Sequence, residues 1–168
     1  ATGCGTPSLL RPLGLNAPIY PVKGYSATIE IDAADPAPTL PLLDLKRRFV
    51  TARLGPNRLR IAGLAEFAGH DRAIDPRRLA LLLGNAAELL PELADRILHA
   101  EPNAWTGLRP MTPDGPPLIG PTPIDGLHLN AGHGAMGWTQ ACGSAELAAD
   151  LGLGNTPAID HDGLLAER

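Results

Sequence analysis

Gly126-Leu-His-Leu-Asn-Ala131 runs straight into Gly132-His-Gly-Ala-Met-Gly137 and on into Trp138-Thr-Gln-Ala-Cys-Gly-Ser144. The first stretch reads as a short apolar strand, the second fits Gly-x-Gly-x-x-Gly literally, and the third opens a helix. Strand, glycine loop and helix in that order form an anion site. Glycines let the backbone come close to a ligand, and the unpaired N–H groups at the start of the helix face it. The ordinary dinucleotide unit would continue into a second strand, with an acidic residue about 20 positions on. Here the residues after Gly152 read as a polar tail. The expectation is therefore a loop that closes a nucleotide-binding architecture rather than opening one.

A few residues upstream lies Trp105-Thr-Gly-Leu-Arg-Pro-Met-Thr-Pro-Asp-Gly115, followed by Pro117-Leu-Ile-Gly120, and far upstream Pro21-Val-Lys-Gly-Tyr25. With the 132–144 segment, these resemble the flavin-dependent D-amino acid dehydrogenases. Those belong to a wider group that includes D-amino acid oxidase, glycine oxidase and sarcosine oxidase. Gly107-Leu-Arg-Pro110 is common to much of that group, whereas Gly132–Ser144 points to the dehydrogenase branch. The resemblance covers Ala1 to about Arg168, but a first glycine loop for the ADP pyrophosphate is absent from the chain. It implies a C-terminal portion of a longer enzyme, working with the N-terminal half of the same protein.

Composition agrees with a folded domain. The chain has 168 residues, 44% hydrophobic and 19% charged, with net charge −4 and a pI near 5.7. No basic cluster suggests nucleic acid. Glycine (19) and proline (18) stay below the roughly 25–30% that marks low complexity, so the chain should be loop-rich but ordered. Cys4 and Cys142 have no ligand or pairing spacing and read as reduced thiols. His70, His99, His128, His133 and His161 form no metal-spaced cluster, so no metal is expected. No apolar run approaches the roughly 20 residues that span a bilayer.

Along the chain, Gly3-Cys-Gly-Thr-Pro-Ser8 reads as a turn and Ser8 to Leu13 as a short helical piece. Residues 19–31 alternate, with Tyr25, Ala27, Ile29 and Ile31 against Ser26, Thr28 and Glu30, which predicts a half-buried strand. Asp32 to Pro41 is a loop. Phe49–Leu54 and Arg58–Phe67 around Gly55-Pro-Asn57 predict a hairpin. On its second strand Leu59, Ile61, Ala65 and Phe67 should face the core, and Arg58, Arg60 and Glu66 the solvent. Asp75-Pro76 starts a helix by cap and proline, and Pro91 kinks or restarts it before about Leu98. A last helix is expected from about Gln140 to Leu151, stopped by Gly152.

The expected architecture is α+β: an antiparallel substrate-type sheet with a packed helix, flanked by C-terminal pieces of a Rossmann-like FAD-binding domain. Its parts are residues 1–18 (FAD-binding piece), 19–115 (substrate domain), 116–152 (returning FAD-binding strand, loop and helix) and 153–168 (tail).

Oxidising an amino acid at Cα requires that its carboxylate be held and Cα–H aimed at the flavin N5. No acid–base pair is obligatory if the amine arrives neutral, and none is assigned. Arg109 offers a planar fork that matches a carboxylate, with Trp105, Leu108, Pro110 and Met111 as an apolar collar. Its residues alone favour a structural salt bridge over a ligand contact; the resemblance implies the substrate carboxylate. Gly132, His133, Gly134, Ala135, Met136, Gly137, Trp138 and Thr139 are expected at the flavin, where the helix end would favour charge on the reduced N1–C2 edge. Gly3, in an Ala-Thr-Gly tripeptide, is implied at the cofactor by the resemblance. His133 between two glycines reads as a loop or ring contact more than a base. Tyr25 and Trp138 read either as core packing or as lining of the substrate pocket, and Lys23 as solvated or structural.

The resemblance implies FAD as cofactor, a D-amino acid as substrate, and 2-oxo acid and ammonia as products. It further implies a quinone or respiratory acceptor and a cytoplasmic place, with peripheral association at the inner face of a bacterial membrane as a further option. The alternatives are an oxygen-using glycine or sarcosine oxidase-type enzyme and a non-catalytic subunit or fragment without flavin.

Overall fold

The computed structural model describes residues 2–165. They form two compact units, one of residues 2–22 and 109–165, the other of residues 23–108. Each unit has its own cluster of buried apolar side chains.

The second unit is built on an antiparallel sheet with strand order β2-β3-β4-β1-β5. These strands are β1 (Tyr20–Glu30), β2 (Leu42–Asp44), β3 (Phe49–Arg53), β4 (Arg58–Glu66) and β5 (Asn103–Met111). The expected hairpin is β3–β4, with Phe49 opposite Gly63 and Arg53 opposite Leu59. Gly63 is needed here, because a Cβ would stand 2.6 Å from that of Phe49. Tyr25, Ala27, Ile29 and Ile31 are buried as their alternation requires, and Leu59 and Ile61 meet them from β4. Ser26 on the opposite face is buried as well, so β1 is covered on both faces over much of its length. Helix α2 (Pro76–Leu89) lays Leu82, Leu83 and Ala86 into this core. The Asp75 side chain accepts from the Arg77 N–H (2.8 Å) as the cap. Leu90 leaves the helical region, and Pro91 restarts the chain as a 3₁₀ turn and α3 (Ala94–His99).

One expectation fails on β4. Ala65 is exposed and Phe67 is 77% exposed, while Glu66 turns inward. Tyr25 pairs with Gly63 but Lys23 pairs with Glu66, so β4 spends three residues where β1 spends two. Leu64, with φ 62°, is in this stretch. An extra residue in one strand shifts the two-residue period by one, and every side chain beyond it changes face.

In the first unit, α1 (Thr6–Leu10) and a 3₁₀ turn at Arg11–Leu13 follow Gly3. A two-stranded antiparallel pair, β6 (Leu118–Pro121) and β7 (His128–Ala131), packs on helix α4 (Gly137–Leu153). Leu10, Ala17, Ile19, Leu118 and Leu129 form the core. The units divide more narrowly than the 19–115 span expected for the substrate domain. Ile19 belongs to the core of the first unit, and Met111 bridges to His133 in that same unit. No helix among the described residues is long and apolar enough to cross a membrane.

Candidate functional site

In the first unit, the end of β5 and the glycine loop are joined. The Gly134 N–H donates to the Pro110 carbonyl (2.9 Å), and Met111 forms an antiparallel bridge with His133. The alternation of a strand puts Arg109 and Met111 on one side of β5. Arg109 is half-buried, and burial pushes its pKa down. A guanidinium remains charged through such a shift, so a permanent cation stands in a partly desolvated place beside the loop.

The loop's shape requires its glycines. Gly132 (φ 79°) and Gly134 (φ 56°) have left-handed backbone, which ordinary side chains disfavour. A Cβ on Gly132 would also lie 2.8 Å from Thr112 Cγ2, and one on Gly134 2.6 Å from Met111 Sδ. Thr112 is itself buried and fixed by its hydroxyl to the Pro116 carbonyl at 2.8 Å. The loop is thus pressed against residues 110–112 at two points.

Helix α4 starts at Gly137, earlier than the expected Gln140. The loop closes with the Met136 N–H on the His133 carbonyl (3.0 Å), and Gln140 N–H then bonds back to Met136 (2.9 Å). Met136 is the capping position and its side chain makes no cap; Thr139 lies inside the first turn. No acidic side chain stands in that turn. Its N–H groups and the positive end of the helix dipole therefore carry no compensating side chain. The helix stops at Gly154 (φ 73°), whose N–H bonds to the Asp150 carbonyl; Gly152 is helical.

His133 is partly buried within the loop. Its Nε2 is shielded from solvent with no hydrogen-bond partner among the described residues, and burial pushes its pKa down. Met136 is half-exposed, Ala135 is exposed, and Trp138 is 96% exposed at the start of α4. Gly3 (φ 48°) is exposed on a 3₁₀ turn, with open space where a Cβ would be.

Tyr25 is placed differently, in the core of the second unit. Its hydroxyl donates to Glu66 Oε2 (2.6 Å) and accepts from the Asp75 N–H (3.4 Å). Lys23 is buried too, bonding Asp71 Oδ2 (2.8 Å), the Ala73 carbonyl (3.1 Å) and Glu66 (3.2 Å). It is a structural lysine. Trp105 lies over Gly107, where any Cβ would strike the indole at 2.1 Å. Sequence reasoning missed Glu66 and Asp71, because only the bulge and a return over some 40 residues bring them to Lys23.

The donor set fits an edge of a flavin. Two glycines leave bare backbone, and an uncapped helix start supplies N–H groups where a reduced ring gathers negative charge. Gly132, Gly134 and the Gly137–Thr139 turn are the residues that would hold it.

Comparison with known proteins gives the same direction. The FAD-dependent oxidoreductase family matches over residues 1–151. A D-amino acid dehydrogenase of Paramagnetospirillum magneticum is 50% identical over all 168 residues, and one of Granulibacter bethesdensis is 48% identical. The chain spans 39% of the length of each of these curated relatives. Glycine oxidase from Geobacillus kaustophilus superposes with TM-score 0.84 at 30% identity, covering all of this chain and 44% of that one. Iminodiacetate oxidase from Chelativorans sp. BNC1 shares the fold, with TM-score 0.85 at 23% identity, covering 97% of this chain and 44% of that one. With its glycine loop, its arginine-bearing strand end and a family match over most of its length, this chain belongs to the FAD-dependent oxidoreductases.

Proposed function

We propose that the chain is the carboxylate-binding and flavin-edge portion of a D-amino acid dehydrogenase, acting with an N-terminal half that binds the ADP moiety of FAD. The relatives' names and the 39% share of their length support this reading. When bound, FAD supplies the two-electron acceptor for the hydride from the amino acid Cα. The imine left after the amine loses a proton takes up water and gives a 2-oxo acid and ammonia. Arg109 holds the carboxylate and thereby sets Cα against the ring. Gly132–Thr139 offers N–H groups to the cofactor, and exposed Trp138 is a candidate wall of the pocket. Tyr25, its hydroxyl committed to Glu66, would act only through its ring face. No residue of this chain serves as base. The electrons pass to a quinone or respiratory acceptor, which places the enzyme in the cytoplasm at the inner face of the membrane.

The observation carrying most weight is the Gly134 N–H to Pro110 carbonyl bond. It ties the residue next to Arg109 to the loop, so carboxylate anchor and flavin contacts form one rigid patch. The test is Arg109→Leu in a protein that joins this chain to its FAD-binding half. Losing one partner of a desolvated charge pair costs about 2–5 kcal/mol, so kcat/KM should fall roughly 30- to several-thousand-fold. FAD content should stay unchanged. Lysine should rescue poorly, having charge without the fork. Near-normal kcat/KM in Arg109→Leu would make the arginine structural and end this reading.

A second reading, an oxygen-using oxidase, is favoured by the 30% identity and TM-score 0.84 to glycine oxidase. Oxygen uptake against quinone reduction, measured on the same preparation, separates the two.

A further inference from the structure

Strand β5 carries Arg109 and is the last strand of its sheet, with β1 as its one neighbour. An edge strand leaves one row of its N–H and C=O groups outside the ladder, so other contacts must fix it. Just beyond Arg109, the Gly134 N–H holds the Pro110 carbonyl. Just before it, the fixed point is Thr106. This residue is buried, and its hydroxyl donates to the Arg72 carbonyl at 2.6 Å.

Arg72 lies in Asp71–Asp75, a segment with neither strand nor helix of its own. Such a segment can anchor β5 only if it is itself held. Lys23 of β1 holds it, donating to Asp71 Oδ2 (2.8 Å) and to the Ala73 carbonyl (3.1 Å). The Ala73 N–H closes back on Asp71 Oδ1 (2.9 Å), and Asp75 caps α2 through the Arg77 N–H (2.8 Å). Lys23 is 1% exposed. A buried ammonium is costly unless it is paired, and moving the segment away would leave it with Glu66 alone among these partners. The segment is thus a strap, pinned to β1 by Lys23 and to α2 by Asp75, and Thr106 ties β5 to it. A branched side chain is stiff at χ1, which keeps that hydroxyl aimed. Alternation turns Thr106 to the face opposite Arg109, so the tether acts on the arginine through the backbone.

We propose that Thr106 is a positioning residue: by binding the Arg72 carbonyl it fixes the stretch of β5 from which Arg109 reaches the amino acid carboxylate. This deepens the proposed function and rests on it for the role of Arg109. The tether itself stands on burial and hydrogen bonds.

The experiment uses the FAD-loaded protein that joins this chain to its FAD-binding half, as wild type, Thr106→Val and Thr106→Ser. Valine keeps the branched shape and removes the donor; serine keeps the donor. Hydrogen–deuterium exchange without substrate reads the tether. Residues 71–75 and 103–111 should exchange about fivefold faster in Thr106→Val and at the wild-type rate in Thr106→Ser. Kinetics with D-alanine read the consequence. A loosened Arg109 grips ground state and transition state alike less well. KM should therefore rise about two- to tenfold in Thr106→Val, the span of one net hydrogen bond, while kcat per bound FAD changes less than about twofold. Serine should restore KM. A merely structural role would lower the yield of FAD-loaded protein and leave KM in place. Should the valine variant not fold, Asp71→Asn decides: it weakens the hold of Lys23 on the strap with Thr106 intact, and should raise exchange and KM in the same direction. Wild-type KM or unchanged exchange in the deciding variant would overturn the proposal, as would a serine variant as impaired as valine. The two readings fail separately. Near-normal kcat/KM in Arg109→Leu ends the carboxylate role, whereas wild-type KM in Thr106→Val beside a damaged Arg109→Leu ends only the tether.

Discussion

Gly134 and Gly137 do different things within one loop. Gly134 lacks space for a Cβ, with Met111 Sδ in the way, whereas at Gly137 a Cβ would meet only ordinary contact with His133 Cβ at 3.4 Å. Gly134→Val therefore pushes the loop off residues 110–112, and Gly137→Pro removes one N–H from the start of α4. If those groups face the flavin N1–C2 edge, they stabilise the anionic reduced ring more than the oxidised one. In the FAD-loaded protein both changes should lower the midpoint potential and weaken FAD retention. About 1.4 kcal/mol of lost stabilisation corresponds to roughly 30 mV for two electrons. Trp138→Phe keeps its backbone N–H and should leave the potential in place. Unchanged potential and affinity in both glycine variants would remove the loop from the cofactor. The motif was legible as spacing; that Met111 and Thr112 enforce it was not, because those contacts cross from another strand.

The β4 bulge is the feature of element scale that organises the second unit. By turning Glu66 inward it supplies the acceptor for Tyr25 and one of two carboxylates for Lys23. The hydrogen bond from Tyr25 is the largest cause holding the Glu66 pKa below its usual 4.5, and that from Lys23 the largest holding Asp71 below its usual 3.8. Lys23 is raised in turn, chiefly by Asp71. A depressed carboxylate gives stability that is present above its unfolded pKa and lost as pH falls through the folded one. A raised lysine gives stability that is full below its unfolded pKa and lost as pH rises through the folded value. The network should thus hold across the neutral range and fail in acid, below about pH 4. Melting temperature measured against pH should drop there in wild type. Lys23→Met should melt lower at neutral pH and show a shallower acid slope, since Asp71 loses its main partner. Parallel curves for the two proteins would take the network out of the acid response. The hairpin and the Asp75–Pro76 helix start were legible, since turn residues and caps act locally. The bulge was not: period-two reasoning assumes an uninterrupted ladder.

At the scale of the whole molecule, two buried clusters within one short chain mean two sets of long-range contacts, and the first unit needs both ends of the chain to make its own. Cofactor binding has the same divided character. The only Gly-x-Gly-x-x-Gly in the chain is Gly132–Gly137, at one rim of the proposed site, and no second glycine loop is present for the pyrophosphate. Purified chain mixed with FAD and then desalted should retain little absorbance in the roughly 450 nm region of oxidised flavins. It should not turn over D-alanine. Stoichiometric yellow cofactor with turnover would show that this chain is a sufficient enzyme and that the proposed partnership with an FAD-binding half is wrong.

The sequence by itself determined the elements whose causes are local: the β3–β4 hairpin, the capped α2, the restart at Pro91 and the glycine loop leading into a helix. It also carried the resemblance that the family match bears out, because Gly107–Pro110 and Gly132–Ser144 are contiguous motifs. Only the tertiary structure decided which face Glu66 and Phe67 take, that Lys23 is buried among carboxylates, and that Arg109 and the loop share one hydrogen-bonded patch. Each of these depends on partners far away in the chain. A side chain's neighbours along the sequence set its backbone preference, but its charge state and exposure are set by what the fold brings against it.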